Sequence, residues 1–296
     1  MELTEIYPHI LDAANALVPY YDPALKKAGE DLNLDGPETY LLLALPAFES
    51  GSISAEVLNI RSPYTSEEVY RRRLASMMRM GMLENVDEEH YRLTSRAMDA
   101  VKLLNDTAYA ALAPLAPLSA EDLARLEAFL LARVEACLAA AEPPAKWCIQ
   151  HSHASSRGAE APIMARIDQY FSDLLAYRDD AHLASWKPYE INGHTWDLLT
   201  LLWLNETESI DSAMQKLVRR GNSFEQTEEA FRTLVRMHWA NYSLDFYTIT
   251  REGRETRQKA EELTDTYFYA SWKDIAEKDL DDFVDLLMKY KHGLKA

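Results

Sequence analysis

The sequence predicts a mainly α-helical protein with small β-ribbons, built as two tandem units of similar organisation. Three observations predict it. Apolar residues recur at helical spacing along most of the chain, strand-like alternation is scarce, and there are nine glycines in 296 residues. The chain aligns with itself at an offset of 157 residues: Ile6 falls on Ile163, Leu17 on Leu174, Gly36 on Gly193, Leu41-Leu42 on Leu198-Leu199, and Arg79-Met80 on Arg236-Met237. Finally, Tyr64 to Ala97 reads as a helix, a short β-ribbon and the start of another helix, and an altered copy runs from Gly221 to Arg254. A period this long indicates a duplicated domain rather than a solenoid.

Each unit predicts the same elements in the same order. A first helix covers 4–20 and 162–178, with Ile6, Ile10, Ala13 and Leu17 or Ile163, Ile167, Tyr170 and Leu174 on one face. The turn dipeptides Asp35-Gly36 and Asn192-Gly193 precede a buried helix. A short helix follows from Ile53 or Ile210, then the amphipathic helix and ribbon. Two helices close each unit, at 95–112 and 120–141 and at 251–270 and 274–292, with Ser119/Asp122 and Asp274/Glu277 as capping pairs. The units are 1–141 and 163–296. Between them, 142–162 reads as a linker: Pro143-Pro144 stops the preceding helix, and Ser, Gly and Ala follow.

The central motif has a physical logic. Thr65 and Glu68 form a capping box, matched by Ser223 and Gln226. Tyr70, Leu74, Met77, Met78 and Gly81 make one buried stripe, which turns Glu67, Glu68, Arg71 and Arg72 outward. Met82-Leu83 starts a ribbon that returns through Tyr91-Arg92-Leu93, with Tyr91 and Leu93 inward and Arg92 outward. Thr94 caps the next helix. MMRMGMLE followed by YRLTSRA resembles MarR-type winged-helix regulators, and Tyr247 to Arg254 fits the end of that pattern better. The resemblance implies two winged-helix units arranged as an intrachain pseudo-dimer, a monomer or weak dimer that presents two heads to double-stranded DNA. Half-sites would then lie about 34 Å apart. It also implies a small aromatic effector held between outer helices and winged helix. GRETRQKAEELTD resembles a bacterial group of helix-turn-helix proteins as well. The second copy departs from the pattern: His238 replaces Gly81, which predicts a differently built turn, and Glu228-Glu229 replace Arg71-Arg72.

Charge tests this reading. The net charge of −17 opposes binding to phosphates. However, Ile53–Arg96 holds seven acids and seven bases, and Glu208–Lys259 eight acids and nine bases, so the remainder carries −18. The acid lies outside the reading heads. Candidate DNA contacts are Ser66, Arg71, Arg72, Arg92 and Arg96 in the first head. In the second they are Arg219, Arg220, Gln226, Arg232, Arg251 and Arg254. Ion pairing along a solvated helix face is the competing reading of the arginines. Tyr170, Tyr177, Trp186, Trp196 and Trp203 are the candidate effector pocket, weighed against ordinary core packing.

Other function classes find little support. Cys148, His151 and His153 have metal-like residue types, but no second ligand pair accompanies them, so the linker reading wins and no cofactor is expected. No phosphate loop, nucleophile elbow or H-E-x-x-H helix occurs, and Asp179-Asp180 and Asp281-Asp282 read as exposed faces rather than acid/base dyads, so no enzyme is expected. The absence of a signal peptide or long apolar run, and two cysteines that form no disulfide framework, predict a cytoplasmic protein that does not enter the membrane. The alternative to a DNA-binding regulator is a ligand-binding or protein-interaction module that keeps the fold without reading DNA.

Overall fold

The computed structural model describes residues 3–156 and 158–295. The first half runs α1 (Ile6–Asp31), α2 (Gly36–Ala44), α3 (Ala55–Asn59), α4 (Glu67–Arg79), β1 (Leu83–Asn85), β2 (Tyr91–Leu93), α5 (Ser95–Leu112) and α6 (Ala120–Ala139). After α7 (Trp147–Ala154) the same order returns. It comprises α8 (Ile163–Trp186), α9 (Gly193–Trp203), α10 (Ile210–Lys216), α11 (Phe224–Arg236), β3 (Ala240–Ser243), β4 (Phe246–Ile249), α12 (Arg251–Phe268) and α13 (Glu277–Lys295). Both ribbons are antiparallel pairs, in register Leu83↔Leu93 and Ala240↔Ile249. No described helix is long and apolar enough to cross a membrane.

The chain forms two compact units that cut across the sequence repeat. One comprises 1–52, 77–181 and 265–296; the other joins 53–76 to 182–264. In the first, α1 packs on α5 and α13, and Ile6, Ile10, Leu17, Leu104, Leu130 and Leu287 are buried there. Its two cysteines are buried, and burial pushes the Cys137 thiol up to about 12. In the second, α11 packs on α9, α10 and β3 around Trp196, Phe231, Leu234 and Trp239.

Local chemistry explains most boundaries. Asp35 caps α2 through a full capping box, accepting from the Glu38 amide at 2.7 Å, and Asn192 caps α9, accepting from the Thr195 amide at 2.8 Å. Ser119 accepts from the Asp122 amide at 3.1 Å. Three expectations are corrected. The first helix continues past residue 20, through Pro19 and Pro23, to Asp31. Burial of Leu25 and of Gly29 against Thr39 outweighs the amide donors those prolines lack. The first helix of the second half likewise runs on to Trp186. Finally, α13 starts at Glu277, not at 274.

The segment read as a linker holds a helix. The buried Asp180 carboxylate accepts the amides of Cys148 (2.8 Å) and Ile149 (2.9 Å), supplying α7 with a cap from α8. Buried Asp173 accepts from Ser152 Oγ and Gln169 Nε2, both at 2.7 Å, and lies 2.8 Å from His153 Nδ1. His151 stacks on Trp147 with ring centres 3.8 Å apart. The three metal-like residues therefore have separate surroundings, and His153 is positioned by a carboxylate. The hydrogen bond to Asp173 raises the His153 pKa. The stabilisation from this pair is whole below the ordinary histidine value and is lost as pH rises through the raised one.

Candidate nucleic-acid interface

The two reading heads are built by the same local bonds. At the end of α4 the Gly81 amide donates to Met78 O and the Met82 amide to Met77 O, both at 2.9 Å, with Gly81 at φ +72°. At the end of α11 the His238 amide donates to Val235 O (3.0 Å) and the Trp239 amide to Leu234 O (2.9 Å), with His238 at φ +59°. Both are Schellman turns. The expectation of a differently built turn at His238 is thus corrected: histidine adopts the left-handed conformation that glycine takes in the first head, a strain of order 1 kcal/mol.

The ribbons return alike. Thr94 Oγ1 donates to Gly81 O at 2.7 Å, and Thr250 Oγ1 to His238 O at 2.6 Å. Each threonine then caps the next helix, through the Ala97 amide (3.2 Å) and the Gly253 amide (3.0 Å). Of the expected stripe, Leu74 and Met77 are buried and Tyr70 and Met78 half-buried, but Gly81 is exposed, because the chain leaves the helix there through the turn. Met82 and Leu83 are buried, and Arg92 is exposed between the half-buried Tyr91 and Leu93, as the alternation predicts.

The helix tips differ. Ser223 and Gln226 complete their capping box, the Gln226 amide donating to Ser223 Oγ (3.2 Å) and the Ser223 amide to Gln226 Oε1 (2.8 Å). Thr65 does not cap α4, which begins at Glu67. Its hydroxyl lies 3.3 Å from Ser62 Oγ and accepts from Arg220 Nη1, also at 3.3 Å. The Ser66 amide donates to Arg220 O at 2.7 Å, and Asn222 Nδ2 donates to Tyr64 O at 3.2 Å. The two tips therefore touch within one unit. Tips joined by direct hydrogen bonds lie closer together than the roughly 34 Å between half-sites one DNA turn apart.

Most candidate contacts have carboxylate partners. Arg71 meets Glu67 at 2.5 Å, Arg92 meets Glu84 at 2.6 Å, Arg232 meets Glu228 at 2.9 Å, and Arg251 meets Glu255 at 2.7 Å. These pairs are exposed and each is worth little, so a phosphate can displace the glutamate. Arg72 Nε donates to Glu68 O at 3.4 Å, and Arg254 Nη1 to Trp203 O at 3.4 Å. Arg96 and Arg219 are exposed. Arg220 is structural: its guanidinium sits 5.4 Å above the Tyr64 ring and 3.3 Å from Asp197, whose pKa burial raises.

A cleft of about 630 Å³ lies between α4 and α11. Glu67, Glu68, Arg71, Glu225, Gln226 and Glu229 line it, with His194 and Asn222 among the other wall residues. His194 was not singled out by sequence, since nothing local marks it. Asn222 Nδ2 lies 3.1 Å from its Nδ1, and Thr227 Oγ1, which donates to Ser223 O, lies 3.1 Å from its Nε2. These partners require a neutral ring that accepts at Nδ1 and donates from Nε2. Burial lowers its pKa to about 4. The unfolded chain takes up this proton near pH 6.5 and the folded one does not, so stability falls as pH drops from 6.5 towards 4. Between pH 7 and pH 5.5 the contribution of His194 is a loss of about 1 kcal/mol, and His194→Asn is expected to remove that contribution. Urea unfolding of both proteins at the two pH values checks this; equal slopes would refute the neutral-ring assignment.

The candidate effector residues are packing. Tyr170 and Tyr177 are buried in the first unit, where Tyr177 donates to Glu142 O at 2.6 Å. In the second, Trp196 stacks on Trp186 (5.6 Å) and on Tyr189 (5.8 Å). The Arg257 guanidinium lies 5.4 Å from the Trp196 ring and 4.9 Å from that of the half-buried Trp203. None of the five lines the cleft.

A family model described as a helix-turn-helix family matches residues 174–296. The second half of the chain is thus similar to a helix-turn-helix domain. No curated protein and no solved structure matches the chain.

Proposed function

We propose that the chain is a DNA-binding transcriptional regulator of winged-helix type, close in plan to MarR proteins and derived from a tandem duplication. The observation that carries this reading is the repeated head: a helix ending in a Schellman turn and a ribbon clasped by threonine, in the same order and with the same hydrogen bonds at the turn and the clasp. The helix-turn-helix match over 174–296 supports it. Arg71, Arg72, Arg92 and Arg96 are its DNA contacts in the first head, and Arg219, Arg232, Arg251 and Arg254 in the second. Arg220 and Gln226 are left out, since one joins the tips and the other closes a capping box. Control by an aromatic effector is not part of the proposal, because Tyr177, Trp186 and Trp196 fill cores.

The test is an electrophoretic shift with the DNA upstream of the protein's own gene. Affinity is expected to fall steeply between about 50 and 200 mM salt. Arg71→Ala combined with Arg72→Ala is expected to weaken binding by at least about tenfold, since each lost contact is worth roughly 1–3 kcal/mol. A second reading, a helix-turn-helix fold that no longer binds DNA, is favoured by the ion pairs on five of the arginines and the net charge of −17. Binding that is absent at every salt concentration would select it.

A further inference from the structure

The contact between the two helix tips does more than fill space. The outward faces of α4 and α11, the ones a groove would receive, line the same cleft. Polar groups from both sides close it. The Ser66 amide, which heads α4 and in an open head would face a phosphate, donates instead to Arg220 O. Arg220 Nη1 donates to Ser62 Oγ and Thr65 Oγ1, each at 3.3 Å. Asn222 bridges Tyr64 O and His194.

The approach is close enough to require glycine twice. A Cβ on Gly193 would lie 2.3 Å from Pro63 O, and one on Gly221 would lie 2.4 Å from Val69 Cγ2. Yet this is not a sealed core. Tyr64, Ser66, Arg220 and Asn222 are all half-buried, so water can replace each bond as the tips part. Glutamates stand on both sides of the cleft, Glu67 and Glu68 facing Glu225 and Glu229, with Arg71 as the one basic residue in its wall. Hydrogen bonds hold the tips together while like charge favours their separation.

We propose that this clasp is an autoinhibitory latch. Closed, it occupies the Ser66 amide at the tip of α4, turns the Glu67 and Arg71 side of that helix towards α11, and keeps the two heads from occupying successive major grooves. Open, it releases the Ser66 amide and clears the approach to Arg71 from the α11 side. The inference rests on the DNA-binding reading above and adds its regulation: the competent state is a minor population, and whatever breaks the clasp raises apparent affinity in proportion to that population.

Two variants open the latch by different means. Gly193→Ala wedges a methyl group against Pro63 O, and Asn222→Ala removes the donor to Tyr64 O. Hydrogen exchange at the Ser66 amide reports opening without any DNA. Fluorescence anisotropy with a labelled random-sequence duplex at about 50 mM salt reports binding. The expected result is a protected Ser66 amide in the wild-type chain, loss of that protection in both variants, and at least about fivefold tighter duplex binding in both. Faster exchange with unchanged affinity, in a wild-type chain that binds duplex, overturns the latch and leaves the DNA-binding reading standing. Failure of all three proteins to bind overturns both. A Ser66 amide already unprotected in the wild-type chain overturns the latch alone. Should circular dichroism show Gly193→Ala unfolded, Asn222→Ala decides by the same criteria.

Discussion

Trp196→Ala is expected to destabilise the unit formed by 53–76 and 182–264 by about 3–5 kcal/mol, as large-to-small changes at buried aromatic sites do. Trp196 is fully buried, stacked between Trp186 and Tyr189, with Arg257 against its face. Its indole Nε1 also donates to His182 Nε2 at 3.3 Å. Alanine would leave a cavity walled by rigid rings that cannot collapse into it, and would strip Arg257 of a cation–π partner. Trp203→Ala, at a half-buried position against the same guanidinium, is expected to lose markedly less. Urea unfolding followed by far-ultraviolet circular dichroism compares the two. A loss below about 1 kcal/mol for Trp196→Ala would mean that the ring stack is not the centre of this unit.

Asp180→Ala is the second large effect, expected at about 3 kcal/mol. Its carboxylate is buried and holds the amides of Cys148 and Ile149 at the start of α7. Removing it orphans two buried donors and a helix N-terminus together. Asp180→Asn keeps one acceptor and is expected to lose about half as much. Limited proteolysis gives a local readout: cleavage within 142–162 should become fast in Asp180→Ala. An unchanged cleavage rate and unchanged stability would return this segment to the status of a plain tether.

Local chemistry made much of the fold legible from sequence. The order of elements, the Thr94 cap, the Ser223/Gln226 box and the inward alternation of Tyr91 and Leu93 each depend on residues within a few positions of one another. What was not legible depends on distant partners. Proline at 19 and 23 signals an ending, but the helix continues because Leu25 and Gly29 are buried by later elements. The Ser, Gly and Ala of 142–162 signal a tether, but Asp173 and Asp180 on α8 supply α7 with a cap and an anchor. The reading-head arginines were legible in both senses, since the glutamates that pair with Arg71 and Arg232 are four residues away. The partners of Arg220, Ser62 and Thr65, lie more than 150 residues earlier, where no local pattern reveals them. His194 and Asn222 were missed for the same reason. Glycine offered a hint: Gly193 packs directly against the Pro63 backbone and Gly221 against Val69.

The make-up of the second unit bears on how the protein is born. It needs 53–76 and also everything up to 264, so α3 and the start of α4 emerge from the ribosome with nothing to pack against. At about 5–20 residues per second, the remainder follows only after roughly 10–40 s. During that interval the first reading helix is a nascent, exposed amphipathic segment, open to chaperones and proteases. Splitting the gene between 142 and 162 would separate that segment from its host, so neither half made alone would complete this unit.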